Sequence, residues 1–154
     1  MQTVTSKDGT KIAFDKLGSG PAVILVNGAI AYRAFDPGMA QLAELLGKHF
    51  TVYNYDRRGR GDSGDKEPFA KEREIEDLQA LVEDAGGNAM IFGISSGAVL
   101  SLDAAALTPG ITKVGVYEPS LIVDDSRQPV PADYTAHLTR LSAEGKRVVW
   151  PLPP

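Results

Sequence analysis

The chain has 154 residues, with 16 Lys+Arg against 20 Asp+Glu, two His and no Cys. Its length suits one domain, and 43% hydrophobic with 23% charged residues excludes a fibre or a disordered tail. A formal charge of −4 argues against nucleic acid as the main partner, and the absent thiols exclude disulfides, thiolate nucleophiles and zinc–sulfur sites.

Asp8-Gly9, between Thr3–Ser6 and Lys11–Lys16, predicts a β-hairpin, because this pair favours the positive φ angles of a tight turn. Ala22–Val26 (AVILV) is continuously apolar, as in a strand buried on both faces of a parallel sheet. A small-residue loop, Asn27-Gly28-Ala29, leads to a helix over Pro37–Leu46. There Met39, Leu42, Leu45 and Leu46 recur at helical spacing, and Gly47 supplies a stop. Thr51–Tyr55 reads as a strand and Asp56–Gly64 as a loop rich in Gly and Arg. Lys71–Ala85 is an amphipathic helix with Ile75, Leu78 and Leu81 on one side, closed by Gly86-Gly87. Ala89–Ile94 is another buried strand, Ser96–Leu107 a small-residue helix and Lys113–Tyr117 a further strand. This rhythm predicts an α/β fold: an open, mostly parallel twisted sheet with helices on both faces.

From Leu121 the character changes. Asp124-Asp125-Ser126-Arg127, Pro129 and Pro131 read as a polar linker leaving the sheet. Asp133–Ala143 reads as one more helix, with Tyr134, His137, Leu138 and Leu141 on its apolar face. The last four residues include three prolines, which neither continue a helix nor join a sheet interior. The expected organisation is a core over 1–120, a second segment over 121–147 and an irregular Pro-rich tail over 148–154. No apolar run reaches the roughly 18 residues of a membrane span, and MQTVTSKDGT lacks the apolar core of a signal peptide. The expectation is a cytoplasmic protein with no membrane partner. Two His are too few for most transition-metal sites, and neither metal nor cofactor is expected.

Gly93-Ile94-Ser95-Ser96-Gly97 matches G-x-S-x-G at the junction of a strand and a helix. So sharp a turn forces its middle residue into strained backbone geometry and needs glycine on both sides, where side chains would collide. It would project the Ser95 hydroxyl at a helix N-terminus, whose positive end favours developing negative charge. The competing reading makes Ser95 an ordinary N-cap within a tight glycine turn. Gly59-Arg60-Gly61-Asp62-Ser63-Gly64 also matches G-x-G-x-x-G after a strand. A dinucleotide site requires that motif to open a helix, and Asp65–Pro68 intervene, so a nucleotide-binding domain ranks behind. Arg57, Arg58 and Arg60 are expected to hold the loop beside Asp56 and Asp62.

The chain resembles the α/β-hydrolase superfamily. The resemblance rests on AVILVNGA, the loop Asp56–Ser63, the helix beginning Glu72-Arg73-Glu74, and GISSG, in that order and at those separations. It covers residues 3–147 and corresponds to the N-terminal half of that fold, with the segment after the core standing where family members begin a lid. The resemblance implies that Ser95 is the nucleophile of an acyl-enzyme mechanism. It implies oxyanion donors at the Ser96 and Ala29 N–H groups, and Asn27-Gly28 stands where many members have His-Gly. Asn27, Gly28 and Tyr32 would border the pocket, with Arg33 and Phe35 beside them.

The family order places an acid and then a His after the serine. Only His137 follows Ser95, on the lid-like helix, whereas His49 precedes a strand, lies at the wrong end of the sheet and reads as structural. Glu118, ending the Lys113–Tyr117 strand, occupies a position where some members place the acid. The implied activity is hydrolysis of a small ester or acyl substrate by a chain resembling a hydrolase cut after its lid begins. The alternative is a hydrolase-like binding fold or truncated product without efficient turnover. Esterase, lipase, carbon–carbon hydrolase and cofactor-free haloperoxidase all share this elbow. Lys113–Tyr117 would be an apolar edge strand, which predicts a homodimer through that edge or marginal stability.

Overall fold

The expected hairpin forms at Asp8-Gly9: Gly9 takes φ +89° and the Ser6 N–H donates to the Thr10 carbonyl at 2.8 Å. The computed structural model describes residues 1–125 and 129–145; Ser126 and Arg127 of the predicted linker and the Pro-rich stretch 148–154 lie outside them. The elements are β1 (Gln2–Thr5), β2 (Lys11–Leu17), β3 (Ala22–Val26), α1 (Pro37–Leu46), β4 (Thr51–Tyr55), α2 (Lys71–Asp84), β5 (Ala89–Ile94), α3 (Ser96–Leu107), β6 (Ile111–Tyr117) and α4 (Tyr134–Ala143). Two units emerge, Met1–Leu121 and Ile122–Pro154. In the second, Tyr134, Leu138 and Leu141 are half-buried on α4 and His137 is exposed.

The six strands run in the order β1-β2-β4-β3-β5-β6. β1 and β2 enter antiparallel, whereas β4, β3, β5 and β6 are mutually parallel. Alternate side chains of each strand feed opposite faces. Ile12, Phe14, Ile24, Val26, Tyr53, Tyr55 and Ile91 pack with Ile75, Leu78 and Leu81 of α2 and Leu100 and Ala104 of α3. On the other face Val23, Leu25 and Val52 meet Met39 and Ala43 of α1. The helices cover both faces as expected.

Local chemistry sets the ends. Asp36 caps α1 by accepting the Met39 N–H at 3.0 Å, with Pro37 pre-set at the first helical position. β6 begins at Ile111, two residues earlier than predicted, because Ile111 pairs with Ala89 across an irregularity at Ala89/Met90 and is buried in the core. The chain leaves β3 through α1 for β4 on one side, and leaves β5 through α3 for β6 on the other. The connections therefore diverge between β3 and β5, and a crevice opens at their carboxyl ends. β6 pairs with β5 and, among the described residues, with no other strand; its Val114, Val116 and Tyr117 are exposed. No helix among the described residues is long and apolar enough to cross a membrane.

Candidate active site

Ser95 leaves β5 with φ +55° and ψ −120°, a left-handed geometry that a serine adopts only where its surroundings enforce it. The enforcement is steric. A Cβ on Gly93 would lie 2.4 Å from both the Gly97 carbonyl oxygen and Ser101 Oγ, and one on Gly97 would lie 2.4 Å from the Val26 and Asn27 carbonyl oxygens. Ser95 stands at the N-cap position of α3, but its side chain makes no cap hydrogen bond. The ordinary N-cap reading therefore does not describe it. Its hydroxyl instead lies 3.0 Å from Ser120 Oγ, and its N–H donates to the Tyr117 carbonyl at 3.0 Å.

The divergent connections bring two loops together at this point. A Cβ on Gly28 would stand 3.6 Å from Ser95 Cβ, so the Asn27-Gly28-Ala29 loop passes directly beside the serine. Neither the Ser96 nor the Ala29 N–H is engaged in a backbone hydrogen bond among the described residues. For Ser96 this follows from its place in the first turn of α3, where N–H groups have no intrahelical partner. Glu118 follows β6 with φ +46°; Ser95 and Glu118 are the two non-glycine residues with positive φ among the described residues, at the ends of neighbouring strands. Glu118 is exposed, and the bend it makes carries the chain to Ser120.

Arg57 ties these pieces to the body. Its Nε and Nη2 donate to the two Glu74 carboxylate oxygens, both at 2.8 Å, and its Nη1 donates to the Asn27 carbonyl at 3.2 Å and to Ser96 Oγ at 3.0 Å. Burial works against its charge, but the Glu74 carboxylate holds its pKa above the usual value. Arg58 forks onto Asp77 at 2.9 and 2.7 Å and reaches Asp8 at 2.9 Å. The expected loop-holding role holds for both, but their partners are not Asp56 and Asp62. Those carboxylates bind Arg33, which also reaches Asp15 at 2.6 Å. The difference is physical: Glu74 and Asp77 are three residues apart on one face of α2, which docks beneath the loop and brings in acids distant in sequence.

The other predicted residues divide. Tyr32 lines a cavity of about 600 Å³ with Ala29, Asp56, Arg60 and Asp62. Asn27 is wholly buried behind the loop, and neither its Oδ1 nor its Nδ2 has a partner. Arg33 is engaged by its carboxylates, and Phe35, stacked on Tyr32 at 5.7 Å, is exposed. His49 precedes β4 at the amino ends of the strands. Near that end lies a larger cavity, about 800 Å³, among Lys16, Phe50, Asp84 and Thr112, away from the Ser95 crevice. In the second unit, His137 Nδ1 lies 2.8 Å from Arg140 Nη2, one turn along α4. The Gly59–Gly64 motif closes a turn, with the Gly59 N–H on the Gly64 carbonyl at 2.9 Å, and α2 opens only at Lys71. It lacks the helix a dinucleotide site needs. No group of His, Asp and Glu among the described residues is arranged to hold a metal ion. Ser120, which meets the Ser95 hydroxyl, was not singled out from the sequence; its only signal is a position two residues beyond a strand-end Glu.

The alpha/beta hydrolase family profile matches residues 23–154. An alpha/beta hydrolase from Sphaerobacter thermophilus is 61% identical, with a TM-score of 0.87 over 94% of this chain and 55% of that chain. YraK, an uncharacterized hydrolase of Bacillus subtilis, is 32% identical over 119 residues, which are 74% of this chain and 43% of YraK. The esterase RhEst1 from Rhodococcus sp. shares the fold at 22% identity, with a TM-score of 0.66 over 75% of this chain and 44% of its own. The chain thus spans about half the length of the relatives it matches. It belongs to the alpha/beta hydrolase family.

Proposed function

We propose that Ser95 is the nucleophile of a serine hydrolase acting on a small ester or acyl substrate. The observation that carries this reading is the Ser95 backbone, left-handed at φ +55°, with a hydroxyl released from capping at the start of α3. Ser95 Oγ attacks the substrate carbonyl carbon and gives up its proton. The negative charge that develops on the carbonyl oxygen is received by the Ser96 and Ala29 N–H groups. The adduct then collapses, the leaving group departs with a proton, and water hydrolyses the acyl-enzyme. The proton acceptor is a histidine: His137, or one supplied by a partner or a further segment of chain. Glu118 is the carboxylate that would orient it.

The test is fluorophosphonate labelling with hydrolysis of p-nitrophenyl acetate by the wild type, Ser95→Ala and His137→Ala. Labelling and turnover that vanish in Ser95→Ala support the nucleophile; loss of turnover in His137→Ala as well assigns the base. An unlabelled wild type sinks the reading and leaves a hydrolase-like binding fold. One observation favours that second reading: the Ser95 hydroxyl meets another hydroxyl, Ser120 Oγ, within its own unit. A cytoplasmic location and a homodimer through β6 belong to the same proposal. For the dimer, light scattering at increasing concentration decides, and a strictly monomeric mass overturns it.

A further inference from the structure

The cavity beside the Gly28-Ala29 loop has in its wall an arginine, Arg60, whose guanidinium makes no direct ion pair among the described residues. Arg33, Arg57 and Arg58 each bind carboxylates. Arg60 is half-buried, its Nη1 is shielded from solvent without a partner, and among the described residues no hydrogen bond or ion pair engages its guanidinium. Burial, and then the neighbouring Arg57, push its pKa below the usual arginine value. The two carboxylates in the same wall are committed elsewhere. Asp56 accepts the Arg33 backbone N–H at 2.7 Å and stands 3.2 Å from Arg33 Nε, and Asp62 accepts from Arg33 Nη2 at 2.8 Å. A partly desolvated cation without a partner is costly, and its planar fork is shaped for a carboxylate.

We infer that Arg60 is a specificity residue that receives a substrate carboxylate, so that the Ser95 site takes half-esters or related acyl compounds of small dicarboxylic acids. The inference rests on the reading of Ser95 given above for the reacting end of the substrate. Ala29, the proposed oxyanion donor, lies in the same cavity wall, so a molecule spanning it presents its carbonyl at one end and its anion at the other. A volume of about 600 Å³ holds a small diacid derivative with room for water.

The test uses Ser95→Ala protein, in which turnover cannot consume the probe. Monomethyl succinate and dimethyl succinate are titrated while the Ala29 and Arg60 amide resonances are followed. The acid is expected to bind at least about tenfold more tightly than the diester, the worth of one charge-assisted fork. Arg60→Gln, checked for its fold by circular dichroism, should abolish that preference. Arg60→Lys, a point charge in place of the fork, should reduce it several-fold without abolishing it. Equal binding of the two probes, no saturable binding at millimolar concentration, or a preference that survives Arg60→Gln overturns the inference. If Arg60→Gln does not fold, an undiminished preference in Arg60→Lys overturns it. Failure of fluorophosphonate labelling would sink the nucleophile and leave this titration readable; labelling without carboxylate preference sinks this inference alone.

Discussion

Two loops leave neighbouring parts of the sheet at its carboxyl edge, and they are held by different forces. The turn at Ser95 is fixed by contact: glycines at 93 and 97 let helix and strand backbones approach to distances that no side chain tolerates. The loop from Asp56 to Gly64 is fixed by charge, through forked pairs from Arg57 and Arg58 to acids on α2. Steric fit acts over one or two residues and is nearly indifferent to pH and salt. Ion pairs reach across the fold, and removing one member leaves the other buried and uncompensated.

The largest expected effect comes from breaking the charged loop. Glu74→Ala strands the Arg57 guanidinium and should cost about 3–5 kcal/mol in chemical denaturation. A loss below about 1 kcal/mol would mean that the pair does not hold the loop. Gly97→Ala attacks the other region: its Cβ meets two backbone carbonyls, and a loss of about 1–3 kcal/mol is expected together with loss of fluorophosphonate labelling at Ser95. Retained labelling would show the turn to be more forgiving than its contacts.

A third test separates the regions by pH. The Arg58 guanidinium holds the Asp8 carboxyl well below the usual carboxylate range. Because the folded pKa is depressed, the contribution is fully present above the unfolded value of about 3.9 and is lost as pH falls below it. Asp8→Asn should therefore cost about 1–2 kcal/mol at neutral pH, and the gap to wild type should close in acid. Gly97→Ala should show no such closure. The smallest effect is expected from Ser120→Ala, which removes the hydroxyl that meets Ser95 Oγ. Labelling should slow about two- to fivefold, equivalent to about 0.5–1 kcal/mol, with the fold unchanged.

The same contrast explains what the sequence disclosed. The bounds of α1, β4, β5 and α3 agree with the reading from periodicity, since apolar spacing and glycine stops are local signals. The turn at Ser95 was legible for the same reason, its five residues carrying their own steric argument. The partners of Arg57 and Arg58 were not legible, because they lie 17 and 19 residues away on a helix whose docking is a tertiary event. Glu74 and Asp77 interleave with Ile75 and Leu78 on the buried side of α2, and carboxylates within an apolar stripe were the signal available. Ser120 and Arg60 illustrate the same limit: one is placed by the bend at Glu118, the other by a cavity with walls from several loops.

Arg33 joins the strand residue Asp15 to Asp56 and Asp62, and its own backbone N–H is held by Asp56. The loop that includes Ala29 is therefore anchored through a four-residue cassette drawn from three places in the chain. For an engineer, that cassette is the unit of exchange. A loop transplanted from a relative to change substrate will keep its shape only if the arginine and all three aspartates travel with it.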